Sequence, residues 1–247
     1  MALSSQDPVP RLPEAPRRVT RRKAAGRPPL LSVAAIVAAA IEVIDHSGLT
    51  GLSMRRVAEQ LGTGVASLYA HVSGKDELLE LVYDELVGQV PLEKPDPARW
   101  REQVRQMMRG LRDILAAHSD AALAGLGRMP TSPQTLAAAE SLVAVLKAGG
   151  LTDRVIALGL DQLILYVSAC AFESSLYAKG RADTEDLERY FTEVHSFYAA
   201  LPQDRFPVLT AVAPVMFDHG GEERFEFGLD LLIAGMEAAS AAERARP

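Results

Sequence analysis

The stretch TGVASLYAHVSGKDELLELV, residues 63–82, places a serine, a tyrosine and a histidine on a very short segment between two glycines. A helix of about six residues is marginal by itself in water, so neighbouring elements must hold it. Leu68 and Val72 are spaced to point to the interior. The polar side chains that remain on the outside are Thr63, Ser67, Tyr69 and His71.

Two helices are predicted before this segment. Apolar residues recur at helical spacing after Ser32, a candidate N-cap, and the pattern stops at Gly48. The residues SMRRVAEQLG predict a second helix between Ser53, as N-cap, and Gly62.

A longer helix is predicted after the segment, from Lys75 to about Val87, because Ser73 and Asp76 have the spacing of a capping box. Two short helices joined by a glycine-containing turn and braced by a first helix are the helix-turn-helix arrangement. The second helix of such a pair fits the major groove of DNA, which is about 12 Å wide. Arg55 and Arg56 begin the preceding helix, which crosses the sugar-phosphate backbone, and Lys75 is placed to bind a phosphate.

The charge of the chain is unevenly distributed. The net charge is −6, but residues 1–30 hold seven Arg and Lys against two acidic residues, whereas residues 76–247 hold 16 basic against 27 acidic residues. A basic tip on an acidic protein favours contact with nucleic acid at one end. Residues 1–29, with six prolines, are predicted to be a flexible arm. The alternative is a tail that only adds solubility.

Composition excludes several classes of protein. The chain has 247 residues, 48% of them hydrophobic and 23% charged, as in a soluble globular protein. Its longest apolar run, residues 33–41, is nine residues, against roughly 20 for a membrane span. No apolar segment of a signal peptide follows the N-terminal arginines, so we expect a cytoplasmic protein without a membrane partner. The single cysteine, Cys170, lies in an apolar run and is interpreted as a buried thiol rather than a nucleophile.

The remaining chain is predicted to be helical, which makes the fold all-α. The residues VPLEKPDP, at 90–97, separate a DNA-binding domain, residues 30–88, from a larger C-terminal domain, residues 89–247. Helical periodicity in the second domain covers residues 98–118, 132–148, 152–178, 184–200 and 222–242.

The N-terminal residues carry a resemblance to a known family. The stretch IVAAAIEVIDHSGLTGLSMRRVAEQLGTGVASLYAHVSGKDELLELV, residues 36–82, resembles the DNA-binding domain of the tetracycline-repressor (TetR) family. Less sharply, ALAGLGRMP, AGGLTDRVIALGLDQLILYV and FEFGLDLLIAGME resemble the C-terminal domain of the tetracycline-repressor subgroup. The resemblance implies a homodimer that blocks a promoter, at a double-stranded DNA operator, until a small-molecule inducer binds the C-terminal domain.

The resemblance also implies a role for each residue of the DNA-binding head. Arg55 contacts a base edge, Ser67 and Tyr69 contact bases and phosphate, His71 contacts a phosphate or base, and Lys75 contacts a phosphate. Two departures weaken direct readout: the first helix begins SVAAI, without an acidic capping partner, and the recognition helix begins TGV, without long side chains. The arm RRKAAGRPPL resembles a minor-groove AT-hook in which Arg27 enters the groove. The alternative is a tail that adds only nonspecific attraction.

Two helices of the C-terminal domain are implied to form the dimer interface. In the resembled family these are the counterparts of residues 152–178 and 222–242, which pair with the same helices of a second subunit. An apolar stripe of this kind is also typical of ordinary core. The candidate interface residues are Asp161, Leu165, Leu229, Leu232, Ile233 and Met236.

Candidate ligand-binding residues combine bulk with a polar or polarizable group. They are Trp100, Met107, Met108, His118, Met129, Tyr166, Phe172, Glu173 and Tyr177. The resembled tetracycline repressor holds drug-bound magnesium with a histidine at the position of Gly125, and Glu173 lies near another of its metal-side positions in the alignment. Without that histidine we expect no tetracycline–magnesium chelate, and instead a different, largely apolar inducer. We expect no catalytic residue, resident metal or cofactor.

Other readings have weaker support. The residues FDHGGEER, at 217–224, gather groups that can bind a cation, but the dipole of a helix with an acidic N-terminus explains them by itself and is the favoured interpretation. A helical small-molecule-binding protein or enzyme with a vestigial DNA-binding domain, or an interaction adaptor, remains an alternative. Neither has a supporting nucleophile motif or phosphate-binding glycine loop.

Overall fold

A computed structural model describes residues 31–118, 120–127, 131–178, 184–216 and 220–246, without the side chains of residues 177–178 and 184–188. These residues contain helices and no β-strand, so the all-α prediction is confirmed. The predicted arm and Arg27 lie outside the described residues. The helices are α1 (Val33–Gly51), α2 (Met54–Gln60), α3 (Val65–Leu68), α4 (Lys75–Val87), α5 (Trp100–Ala117), a 3-10 helix (Ala121–Gly125), α6 (Pro133–Ala148), α7 (Asp153–Ala178), α8 (Thr184–Ala199), α9 (Pro207–Met216) and α10 (Gly221–Arg244).

The first two helices begin where the sequence predicts. The hydroxyl of Ser32 accepts a hydrogen bond from the Ala35 N–H at 3.1 Å, and that of Ser53 accepts from the Arg56 N–H at 3.2 Å. Gly48 has a φ of +69°, so regular helix stops there, although α1 resumes for a further turn. Only a residue without a Cβ adopts such a φ at low cost.

The helix α4 covers Lys75–Val87 as predicted, but its cap differs from the prediction. Gly74, not Ser73, is the N-cap residue, and the Ser73 hydroxyl caps nothing. The backbone N–H of Ser73 instead donates to Oε2 of Glu77 at 2.6 Å. Because the cap residue lies one position later than predicted, the carboxylate three residues beyond the cap belongs to Glu77 rather than Asp76.

Two elements of the C-terminal region were not predicted. The 3-10 helix and α9 both fall between the stretches for which helical periodicity was predicted. Pro207 opens α9, where a missing N–H costs nothing, and Pro214 lies inside it. Because prolines usually indicate a helix break, this helix of ten residues was not predicted from the sequence.

The core of the C-terminal region lies around α7, which packs along both α5 and α10. Leu163 and Val167 of α7 are fully buried, as are Leu229 and Ile233 of α10. By contrast, α8 and α9 pack mainly on each other. Their exposed apolar side chains include Tyr190, Phe197, Val208, Val212 and Val215.

A row of arginines on α5 pairs with acidic residues on α10. Nη2 of Arg109 donates to Oε2 of Glu226 at 2.6 Å, and this pairing holds the pKa of Glu226 below its usual range. We call the whole row the arginine ladder. Its other pairs are Arg101 with Glu237, Arg105 with Asp230 and Arg112 with Glu222.

By length and composition, two helices are apolar enough to cross a membrane: Val33–Gly51 and Asp153–Leu176. Core helices of soluble proteins pass the same test, so this is weak evidence. Ile36 and Ile44 of the first and Leu163 of the second lie in the protein core. The absence of a membrane partner stays a prediction.

Candidate DNA-binding surface and ligand cavity

The short helix α3 is held by apolar anchors on both sides of it. Leu68 and Val72 are buried in the same core cluster as Val57 of α2 and Leu78 of α4. Beyond Leu68 the chain makes one more turn, because the N–H groups of His71 and Val72 both donate to the Leu68 carbonyl at 2.9 Å. The neighbours therefore supply the stability that four helical residues lack.

The polar residues of this segment face outward, as predicted. Ser67, Tyr69 and His71 are exposed, and Thr63 is half-buried at the turn. Tyr69 is 54% exposed, which is a large value for an aromatic residue. The segment thus presents two hydroxyl groups, a phenol and an imidazole to solvent. Their contacts with DNA stay a prediction.

Each of the three described cations predicted to contact DNA already has an acceptor. Nε of Arg55 donates to Oε1 of Glu59 at 2.8 Å, a hydrogen bond that raises the pKa of Arg55. The other two donate to backbone carbonyls near the end of α1: Nη1 of Arg56 to Gly51 at 3.1 Å, and Nζ of Lys75 to Leu49 at 3.3 Å. These bonds hold the cations on α2 and at the start of α4, the helices that precede and follow α3 in the chain; their contacts with phosphate stay a prediction.

Lys75→Ala is expected to weaken binding to all DNA sequences alike and to lower the slope of log K against log salt by about one unit. A phosphate contact carries charge but no base information. Gel shifts at several salt concentrations measure both effects. Lys147→Ala, which removes an exposed lysine paired with Asp153 at 2.8 Å, is the control. An unchanged slope in Lys75→Ala would contradict the phosphate contact.

A cavity of about 300 Å³ lies in the C-terminal region between α4, α5, α6 and α7. Its wall is largely apolar, with Met107 and Met108 from α5 and Leu142 from α6. Tyr83 of α4 also lines the cavity, and burial raises the pKa of its hydroxyl. An apolar cavity with a few polar groups suits a small organic ligand.

Gly125, at the end of the 3-10 helix, also lines this cavity. The ring of Tyr83 occupies the space that a Cβ on Gly125 would need. A histidine at this position, as in the tetracycline repressor, would require Tyr83 to move. Glu173 is engaged elsewhere, because Oε2 of Glu173 accepts from Nη2 of Arg224 at 3.1 Å.

A wider groove of about 1060 Å³ lies among α5, α7, α8, α9 and α10. The Tyr166 hydroxyl in its wall donates to the carbonyls of Arg224 and Phe225, both at 3.0 Å. The Tyr166 ring stacks on Phe225 with 5.7 Å between centroids. Burial is the main cause of the raised pKa of Tyr166. These contacts tie α7 to the first turns of α10.

The predicted ligand residues do not form one cluster. Met107 and Met108 line the smaller cavity, and Tyr166 and Glu173 line the wider groove. Three predicted residues line neither of them: Trp100, His118 and Phe172. Trp100 is instead buried against Gly149. Met129 and the side chain of Tyr177 lie outside the described residues. Their roles in ligand binding stay predictions.

Sequence reasoning missed Tyr83 because α4 was assigned to the DNA-binding domain alone. A signal was present, since α4 has two apolar stripes. One stripe, Leu78, Val82 and Leu86, is fully buried, and the second is Leu79, Tyr83 and Val87. A second stripe predicts a second packing partner.

The predicted dimer residues also divide. Leu229, Ile233 and Met236 are buried within the single chain. Asp161 and Leu165 are exposed, and Leu232 is half-buried. Other large apolar residues of α7 and α10 are exposed instead, namely Leu158, Leu176, Phe227 and Leu231.

Comparison with known protein families matches both parts of this arrangement. Residues 36–82 match the family described as bacterial regulatory proteins, tetR family, and residues 94–240 match the tetracyclin repressor-like, C-terminal domain. The chain belongs to the TetR family. The resemblance seen in the sequence is therefore confirmed.

Named relatives of this TetR-family chain are transcriptional regulators. It is 32% identical over 230 residues to the HTH-type transcriptional repressor DrrR1 of Streptomyces coeruleorubidus, covering 91% of this chain and 84% of that protein. These names do not favour the alternative of a helical enzyme or carrier. Regulators of the family are soluble, and the cytoplasmic location of this chain stays a prediction.

Solved structures of the family superpose well on the chain. Apo ActR of Streptomyces coelicolor is 40% identical, with a TM-score of 0.77, and the match covers 87% of this chain and 98% of ActR. ActR in complex with actinorhodin is 39% identical, also with a TM-score of 0.77, and the match covers 85% of this chain and 97% of ActR.

Proposed function

We propose that this TetR-family regulator is a repressor that binds a palindromic operator as a homodimer and releases it when a small, largely apolar molecule binds the cavity between α4 and α7. The observation that carries the proposal is that one element of the cavity wall, the 3-10 helix, also packs on α1 of the predicted DNA-binding domain. The complex of the related ActR with actinorhodin supports a ligand-responsive role.

The 3-10 helix connects the two regions. It packs against α1, α4, α5 and α7, and its last residue, Gly125, lines the cavity. Just before it, Oδ1 of Asp120 accepts a hydrogen bond from the Leu49 N–H of α1 at 2.7 Å. Nearby, Nδ1 of His118 lies 3.1 Å from Oδ2 of Asp45, also on α1. A ligand that displaces Tyr83 or the 3-10 helix therefore changes the position of α1.

The energy required for release is modest. A hundredfold loss of operator affinity needs about 2.8 kcal/mol of coupling between ligand and operator. The binding free energy of the ligand must therefore be more favourable, by this amount, for the conformation that does not fit DNA than for the one that does. One charged hydrogen bond such as that of Asp120 is worth about 1.5–3 kcal/mol, the same order.

We place the dimer interface on the exposed apolar face of α7 and α10. Leu158 and Leu165 of α7 and Phe227 and Leu231 of α10 are each more than a third exposed in the single chain. Two recognition helices must address half-sites about 34 Å apart, which a dimer supplies. The interior residues Leu229, Ile233 and Met236 then support this face from behind.

Gel shifts with the DNA beside the protein's own gene, combined with sedimentation of the free protein, test the proposal. We expect a complex of two chains per operator that dissociates when an inducer is added. A monomer in solution, or the absence of any shift at low salt, would count against it.

Asp120→Ala is expected to reduce the effect of inducer on operator affinity by about tenfold, because it removes the acceptor of the Leu49 N–H. Ligand affinity itself should change little, since Asp120 does not line the cavity. Operator titrations with and without inducer measure the ratio. Asp153→Ala, which removes an exposed carboxylate on α7, is the control. Full induction in Asp120→Ala would exclude this route of coupling.

A further inference from the structure

Ser168 of α7 carries a buried hydroxyl group without a hydrogen-bond partner. The residue is 1% exposed, and within the described part of the chain its side-chain oxygen is the one that is both fully buried and unpaired. Such a hydroxyl is unfavourable, because it has lost its hydrogen bonds to water and gained none from the protein. Unpaired buried polar groups are uncommon in folded proteins, and a bound ligand is one kind of partner that satisfies them.

Ser168 continues the face of α7 that lines the smaller cavity. Leu160 and Ile164 form part of the cavity wall, and Ser168 follows Ile164 by four residues. Residues four apart on a helix lie on the same face. Ser168 itself does not line the cavity, so its hydroxyl lies just beyond the wall.

Tyr83 is the residue that meets both the cavity and Ser168. It lines the cavity from α4, and its ring packs on Gly125 at the end of the 3-10 helix. Burial raises the pKa of Tyr83, and the neighbouring Ser168 hydroxyl lowers it by less. The two hydroxyl groups are therefore neighbours, although they lack the geometry of a hydrogen bond.

We propose that Ser168 anchors the ligand of this cavity by donating a hydrogen bond to a carbonyl oxygen, and that the Tyr83 ring moves aside to admit that oxygen. The inference rests on the proposed function of the cavity as the inducer site. It specifies the class of inducer as an apolar molecule with a ketone or similar carbonyl group at one end. A carbonyl oxygen has no hydrogen of its own, so the single hydrogen of the serine hydroxyl pairs both groups.

Movement of Tyr83 connects this anchor to the route of induction. The ring covers Gly125, and the 3-10 helix that ends there packs on α1. A ligand that takes the hydrogen bond of Ser168 therefore also releases the ring from the 3-10 helix. A purely apolar ligand gains nothing at Ser168 to offset movement of the ring, so it fills the cavity without favouring the displaced conformation.

Two bicyclic probes of nearly equal size, 1-tetralone and tetralin, differ by one carbonyl group and test the proposal. Calorimetric titration of the full-length wild-type protein and of Ser168→Ala measures the affinity for each probe. The variant is expected to lose about tenfold in affinity for tetralone and to keep its affinity for tetralin. Because each probe is compared between two proteins, the different hydration of the ketone and the hydrocarbon cancels.

Ser175→Ala is the matched control. Ser175 is also fully buried on α7, but its hydroxyl donates to the Phe172 carbonyl at 2.7 Å. Its affinities for both probes should equal those of the wild-type protein. Thermal unfolding gives a second readout: Ser168→Ala loses no hydrogen bond and should keep the midpoint of the wild-type protein, whereas Ser175→Ala should lower it.

Tyr83→Phe distinguishes the anchor from its neighbour. The variant keeps the ring and removes the phenol hydroxyl, so its affinity for tetralone should equal that of the wild-type protein. Loss of tetralone affinity in Tyr83→Phe, with none in Ser168→Ala, would assign the anchor to the phenol and overturn the role of Ser168.

The remaining outcomes separate this inference from the proposed function. If both probes bind and Ser168→Ala changes neither affinity, or lowers both equally, the carbonyl anchor is overturned and the ligand site stands. If neither probe binds the wild-type protein, both the ligand site and its anchor fail.

Discussion

Replacement of Leu68 by alanine is expected to lower the free energy of unfolding by about 2–5 kcal/mol and to abolish operator binding at concentrations where the wild-type protein is saturated. Leu68 is fully buried, and it is the one interior residue of a helix that has only four residues. Loss of this anchor removes more than packing energy, because α3 cannot persist without contact to α2 and α4.

Chemical denaturation followed by circular dichroism measures the stability, and gel shift measures the operator complex. Leu68→Met, which nearly conserves volume, should cost less than about 1.5 kcal/mol and retain DNA binding. Ser67→Ala changes the exposed neighbour and should leave stability unchanged. Normal stability of Leu68→Ala would mean that α3 is held by other contacts than those described above.

Tyr69→Ala is expected to weaken the operator complex by about 1–3 kcal/mol, a factor of roughly 5 to 150 in affinity, without lowering stability. The ring is 54% exposed on the outer side of the recognition segment, so its removal opens no interior cavity. In the major groove the same ring has base edges and thymine methyl groups to contact.

The matched control is Tyr190→Ala, since Tyr190 is a tyrosine of α8 with a similar exposure of 58%. It should leave operator affinity unchanged. Equal operator affinity for Tyr69→Ala and the wild-type protein would remove the outward face of the segment from the DNA-binding surface. A loss of stability in Tyr69→Ala would assign the ring a structural role instead.

The DNA-binding head could be predicted from sequence because its determinants are local. Ser32 and Ser53 cap helices through hydrogen bonds to residues three positions later in the chain. The buried Leu68 fixes which side of its short helix faces the interior, and thereby which residues face solvent. Where an error occurred, at Ser73, it misplaced the cap by one residue and left the predicted bounds of α4 unchanged. Such an error leaves the outward residues unchanged.

The ligand region could be predicted only in part because its geometry depends on contacts between distant segments. The side chains of Met108 and Tyr166 both suit a pocket, yet they line different cavities. Only the packing of α7 between α5 and α10 decides this. For the same reason Leu229 and Phe227, two residues apart on α10, are respectively buried and exposed.

The arginine ladder affects how salt titrations of this protein must be interpreted. Its ion pairs are partly exposed, so each contributes little energy and is screened at high ionic strength. Added salt therefore weakens the attachment of α10 to α5 at the same time as it weakens phosphate contacts. A salt titration of operator binding then contains two effects, screening of the phosphate contacts and screening of the ion pairs between α5 and α10. Repeating the titration with both members of the ladder pair, Arg109 and Glu226, replaced by glutamine would separate them.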